Sequence, residues 1–246
     1  MSGRIALVGS GEYLPIMQNV ESWLLEDRPP RFVQVATAAS LEGERSLAKW
    51  HTLGKESAER LGVEQIVLDI RTREDANSAH HVTALKDAGL IYLSGGNPGH
   101  LARTLRGTKV WAAIREQWNS GASVAGCSAG AMALCSYVPD FRHPKAGGEE
   151  GLGLVLNARV IPHFDRYSRF IPDFALKPLI TQDNVVVGID ENTALVSDGT
   201  AANQAREWKF VSRGQGSSWR IESDRKYRIN GTIDLLVEAG LGPSHA

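Results

Sequence analysis

The segment Ala122-Ser-Val-Ala-Gly-Cys-Ser-Ala-Gly-Ala-Met-Ala-Leu134 carries the strongest chemical signal in the chain. An apolar run enters Gly126-Cys127-Ser128-Ala129-Gly130, and a helix-forming run leaves it. A serine flanked by such glycines at a sharp strand-to-helix turn is pushed above the sheet edge, where its hydroxyl can act as a nucleophile. The turn is tight, so bulky neighbours would clash. The helix starting behind Ser128 offers free N–H groups and the positive end of its dipole, which makes the Ala129 N–H a natural oxyanion donor. The plain alternative is a small-residue turn chosen only for close packing. Cys127 is a rival nucleophile, but it sits one position early for the apex of the turn. Its side chain is expected to point into the sheet.

A second glycine-rich segment, Leu93-Ser-Gly-Gly-Asn-Pro-Gly-His-Leu101, also follows a strand and precedes a helix. In an open parallel sheet, ligands gather at the carboxyl ends of the strands. Gly95 and Gly96 are therefore placed beside Ser128, able to lend a second backbone N–H to an oxyanion. The Gly9-Ser10-Gly11-Glu12 turn is not a complete dinucleotide fingerprint, because Leu14 stands where the third glycine belongs. It reads as a turn near the pocket.

A serine nucleophile needs a base, and the base needs an orienting acid. Of the seven histidines, His51, His80 and His81 fall in polar helical stretches and His245 in the tail. His100 lies in the glycine-rich segment and His143 in a long loop, where each could line a pocket. His163 stands apart, because Val160-Ile-Pro-His-Phe164 puts it at the end of an apolar strand. Gly188-Ile-Asp-Glu-Asn-Thr-Ala-Leu195 offers two acids, Asp190 and Glu191, between short strands. A hairpin turn would use the same residue types. The chain order Ser, His, acid differs from the Ser, acid, His order of α/β-hydrolases.

The elements that must position these groups alternate in type. Arg4–Val8, Phe32–Ala36, Glu64–Ile70, Leu90–Ser94 and Ser123–Cys127 read as strands. Leu14–Glu26, Glu42–Leu61, Ala79–Lys86 and two helices within Pro98–Ser120 lie between them. Strand–helix alternation predicts a parallel sheet covered by helices on both faces. Near-continuous apolar strands such as Ile-Ala-Leu-Val suit such a sheet. Further on, Pro139–Gly153 reads as a long loop, Arg159–Pro162 as a strand and Ser168–Thr181 as a helix. Val185–Ile189, Ala194–Ser197, Trp208–Ser212 and Ser218–Glu222 read as short strands, and Gly231–Ala239 as a closing helix.

With 246 residues and 42% hydrophobic content, the chain is sized for one large domain spanning 1–246. A formal net charge of −1 gives no electrostatic case for nucleic acid. No apolar run is long enough to span a bilayer, and no signal peptide is visible, so a cytoplasmic protein with no membrane partner is expected. Cys127 and Cys135 form no disulfide framework. No Cys/His spacing suits zinc, and neither a metal nor an organic cofactor is called for. A homodimer is the one assembly left open.

Taken in order, LSGGNPGHL, AGCSAGAMAL, IPHFDRYSRF and VVVGIDENTAL resemble the corresponding segments of the S51 peptidase family, which includes dipeptidase E and cyanophycinase. The resemblance runs from Ile5 to about Phe210. It implies a three-layer α/β/α sandwich with a mostly parallel sheet and a nucleophile elbow, like the flavodoxin-like fold of class I glutamine amidotransferases. It assigns Ser128 as nucleophile, His163 as general base and acid, and Glu191, ahead of Asp190, as the orienting carboxylate. Gly96 and Ala129 become the oxyanion donors. Asn97 becomes a candidate for substrate binding. So does Arg169, which with Arg166 follows the His-Phe pair and could grip a carboxylate bidentately. Family members cut at aspartyl residues, so a small α- or β-aspartyl peptide is the expected substrate. The alternatives from other classes are a non-catalytic binding protein on the same fold and a broad amidase or esterase.

Overall fold

The computed structural model describes residues 2–141, 147–167, 176–200 and 206–238. Its centre is an eight-stranded sheet. One half is parallel: β1 (Ile5–Val8), β2 (Arg31–Val35), β3 (Glu64–Leu68), β4 (Leu90–Leu93) and β5 (Ser123–Cys127). A four-stranded second sheet contains β8 (Ala158–Ile161), β9 (Val185–Ile189), β12 (Ser218–Ile221) and β13 (Lys226–Arg228). The antiparallel half of the main sheet is β10 (Thr193–Ser197), β11 (Glu207–Gly214) and β14 (Thr232–Leu236). The main sheet runs β14-β11-β10-β1-β5-β4-β2-β3 and the second β13-β12-β9-β8. A short ribbon pairs β6 (Tyr137–Val138) with β7 (Glu149–Glu150).

Side-chain alternation divides the parallel strands between two cores. Ile5, Leu7, Ile91, Leu93 and Val124 face one way, against α4 (Pro98–Leu105), α5 (Lys109–Asn119) and α6 (Ala129–Leu134). Ala6, Val8, Leu90, Tyr92, Ala125 and Cys127 face the other, against α1 (Gln18–Leu25) and α2 (Glu44–Leu61). The short α3 (Ala79–Ala84) packs on the first side through Val82 and Ala84. Both faces are covered, which explains why β1 and β4 are apolar at every position. Each fully buried Val, Leu or Ile contributes about 1.5–3 kcal/mol relative to exposure. The sheet is thus a stiff platform for whatever stands on its edge. Among the described residues, no helix is long and apolar enough to cross a membrane.

The second half corrects several expectations. Residues 232–236 form a strand, not a helix, and pair antiparallel with β11. The reason is period two: Ile233 and Leu235 are buried while Thr232 and Asp234 alternate with them. Part of the Ser168–Thr181 stretch, 168–175, lies outside the described residues, and Lys177–Leu179 makes only one 3-10 turn. The loop from Pro139 is interrupted by β7. The β13 strand was not anticipated. Most consequential, β9 and β10 belong to different sheets, although only three residues separate them.

Candidate active site

Three strand ends bring the site together. In the parallel half, β5 pairs with β1 so that Cys127 lies opposite Val8. Val8 in turn lies opposite Ala194 of β10. Ser128, just past β5, therefore looks towards the turn that feeds β10, and Glu191 sits in that turn. In the second sheet, β8 and β9 are parallel, with Ile161 opposite Gly188. Their carboxyl ends coincide, so His163 past β8 and Glu191 past β9 emerge side by side.

Ser128 occupies the apex of the elbow at φ 50°, ψ −106°, a conformation costing on the order of 1–3 kcal/mol for a non-glycine residue. Its N–H donates to the Val8 carbonyl at 2.8 Å, which holds the strained turn to β1. The flanking glycines are demanded by close approach. A Cβ on Gly126 would lie 2.4 Å from the Gly130 carbonyl carbon, and one on Gly130 would lie 2.1 Å from the Leu93 oxygen.

A hydrogen-bonded chain runs from the elbow across to the second sheet. Ser128 Oγ is 3.0 Å from His163 Nε2. His163 Nδ1 is 2.8 Å from Glu191 Oε1. A carboxylate only accepts, so Nδ1 carries the proton and Nε2 is left to accept from the serine. The turn that presents Glu191 is itself held: its N–H donates to Asp165 Oδ1 at 2.9 Å. Asp165 belongs to α7 (Phe164–Tyr167), one turn of helix starting beside His163. Tyr167 of the same turn places its ring edge-on to the imidazole at 5.8 Å. Arg166 lies 3.6 Å from Glu191 Oε1 and is largely exposed.

Asp190, the other acid of the turn, faces away from this chain. It is buried, and its carboxylate accepts from the Ser217 N–H and the Trp219 indole N–H, each at 2.9 Å. Burial pushes its pKa up, against those two donors. Its contacts tie the β9–β10 turn to β12. Of the two acids left open by the sequence, only Glu191 touches the imidazole.

The glycine-rich segment stands beside the nucleophile. A Cβ on Gly95 would lie 3.6 Å from Ser128 Cβ. Gly96 has φ 136° and packs on the Ala38 carbonyl, leaving no room for a side chain. Among the described residues, the N–H groups of Gly96 and Ala129 have no acceptor. Asn97 caps α4: its Oδ1 accepts from the His100 N–H at 2.9 Å, which leaves its amide NH2 to donate elsewhere. His100 bonds Ser40 Oγ at 2.8 Å rather than Ser128. Arg169 and His143 lie outside the described residues. The Cys127 thiol is fully buried on the α1–α2 side and donates to Glu12. Burial and the neighbouring Glu12 carboxylate push its pKa well above the ordinary thiol value.

Three side chains at this site were not singled out from sequence. Asp165 and Tyr167 stand in the IPHFDRYSRF segment, two and four places after the histidine, so proximity in sequence was their signal. Glu12 ends the Gly-Ser-Gly-Glu turn after β1, the strand next to β5.

An elbow serine, a histidine and a carboxylate on a parallel sheet have the arrangement of hydrolases built on a nucleophile elbow. Residues 5–205 match peptidase family S51, and the chain belongs to that family. Cyanophycinases from Nostoc sp. (strain PCC 7120) and Trichormus variabilis are each 32% identical to it over 56% of this chain and 49% of theirs. The chain thus spans about half the length of these curated relatives. The crystal structure of a peptidase from an acI-B1 actinobacterium superposes with a TM-score of 0.83 at 41% identity, over 96% of this chain and 97% of that one. A protein described as a peptidase E from Listeria monocytogenes EGD-e superposes at 0.63 with 18% identity, over 88% and 100%, a likeness of fold.

Proposed function

We propose that this chain is a serine peptidase that hydrolyses short peptides at aspartyl or β-aspartyl bonds. The observation that carries the reading is the unbroken chain Ser128–His163–Glu191, at 3.0 and 2.8 Å, ending on a strained elbow. In the proposed reaction His163 Nε2 takes the Ser128 proton as Oγ attacks the scissile carbonyl. The Gly96 and Ala129 N–H groups stabilise the oxyanion. His163 then protonates the leaving amine as the C–N bond breaks. Water, deprotonated by the same imidazole, releases the acyl group and regenerates the serine. Glu191 holds the imidazole in the reactive tautomer and stabilises its cation. The Asn97 amide and Arg169 are the proposed substrate contacts.

The aspartyl preference is what the resemblance to the S51 family implies, and the chain's membership of that family supports it. Against a cysteine nucleophile stands the burial of Cys127 and its commitment to Glu12. Hydrolysis of a panel of α- and β-aspartyl dipeptides by wild type and Ser128→Ala tests both halves of the reading. The expected outcome is cleavage of one class by wild type and none measurable by the variant. Equal cleavage by both would remove Ser128 from the mechanism. No cleavage of any aspartyl dipeptide would remove the substrate class.

A further inference from the structure

The Gly-Ser-Gly-Glu turn is the one motif that neither a dinucleotide nor the serine chemistry accounts for. It delivers Glu12 to the underside of the site, buried at 6% exposure. Glu12 Oε1 accepts from the Gly95 N–H at 3.1 Å. Oε2 accepts from the Cys127 thiol. One carboxylate therefore bridges the ends of three adjacent strands: β1 through its own backbone, β5 through the residue before the nucleophile, and β4 through the glycine before Gly96. Among the described residues no Lys or Arg forms an ion pair with it. A buried carboxylate without a cation is costly unless its oxygens are well used.

The residue after Glu12 points to the same loop. Tyr13 Oη is 2.8 Å from Ser94 Oγ. Its backbone N–H donates to Glu21 Oε1 at 2.8 Å, its carbonyl accepts from Arg60, and Glu21 Oε2 accepts from Ser57 at 2.7 Å. The Glu12–Tyr13 pair is thus fixed from below by a buried polar network and grips Ser94 and Gly95 from its other side.

We propose that Glu12 is the positioning residue of the oxyanion loop: by accepting from the Gly95 N–H it fixes the loop that carries the Gly96 N–H, while the Cys127 thiol only occupies its second oxygen. The proposal rests on Ser128 being the nucleophile. It touches no substrate. Its effect is felt where charge develops on the carbonyl oxygen, so it belongs in kcat rather than KM.

The test uses the aspartyl dipeptide that wild type cleaves best, with the rate of fluorophosphonate labelling as a second readout. A glutamine has one acceptor oxygen and cannot satisfy both donors. Glu12→Gln is expected to lose about 10- to 100-fold in kcat, with KM within about threefold. Cys127→Ala, which removes only the thiol, is expected to stay within about threefold of wild type. In Glu12→Gln/Cys127→Ala the amide NH2 can turn to the vacated side and its oxygen to Gly95, so part of the lost kcat returns. A merely structural role would instead make the double variant worse than either single one. Should Glu12→Gln fail to fold, Glu12→Asp keeps the charge but shortens the reach, and the same loss in kcat is expected. Wild-type kcat in these Glu12 variants, a loss confined to KM, or no rescue by Cys127→Ala overturns the proposal. Hydrolysis and labelling that persist in Ser128→Ala would instead overturn the nucleophile assignment, which is a separate result.

Discussion

The parallel half of the main sheet and the four-stranded second sheet contribute to the site in different ways. In the proposed mechanism the parallel half supplies backbone: a strained serine, the Ala129 N–H at a helix start and the Gly96 N–H on a glycine loop. Such groups work only where the chain is immobilised, and β1, β4 and β5 are buried on both faces. The second sheet supplies side chains, His163 and Glu191, from turns past two parallel strands. These need only neighbouring exits, and both remain partly exposed. Errors in the first region should therefore appear as misfolding together with lost activity. Errors in the second should separate the two.

The widest separation is expected between two adjacent residues. Glu191→Gln removes the orienting acid and should lower kcat/KM by about 10³–10⁴-fold with little change in Tm. Asp190→Ala strands the half-buried Ser217 and Trp219 N–H groups and should cost about 1–3 kcal/mol in urea titration. Its kcat should remain within about tenfold of wild type, because it leaves the imidazole contact in place. A reversed pattern would mean that the turn presents the other acid. In the parallel half, Gly126→Ala forces a methyl group onto the Gly130 backbone. A loss of about 3 kcal/mol is expected, with activity falling in step. A stable but inactive Gly126→Ala would blur the contrast between the regions.

The same contrast governs what could be read from the sequence. The five parallel strands were legible within a residue or two; in β1, β4 and β5 burial on both faces leaves short runs that no helix period explains. Ser128 and the Gly95-Gly96 pair were legible because tight turns leave glycines behind. His163 was visible from its place after an apolar strand. Residue pattern left Asp190 and Glu191 open and only the family resemblance put Glu191 first, since the choice depends on Ser217 and Trp219, which are 27 and 29 residues away. The Thr232–Leu236 strand was misread because a five-residue window holds little period, and its partner β11 decides its conformation. Glu12 was hidden for the same reason: its partners lie 83 and 115 residues further along. Local pattern names the elements and the chemistry, while pairing between distant strands decides which side chains meet.

The central claim is that Ser128 is the nucleophile and is activated through His163. It is tested most directly by fluorophosphonate labelling followed by peptide mapping, on wild type and His163→Ala side by side. The account predicts a single adduct on Ser128 in wild type, with labelling slowed by about 10³-fold or more in His163→Ala. An adduct on another residue, or labelling of Ser128 at an unchanged rate without His163, would contradict it.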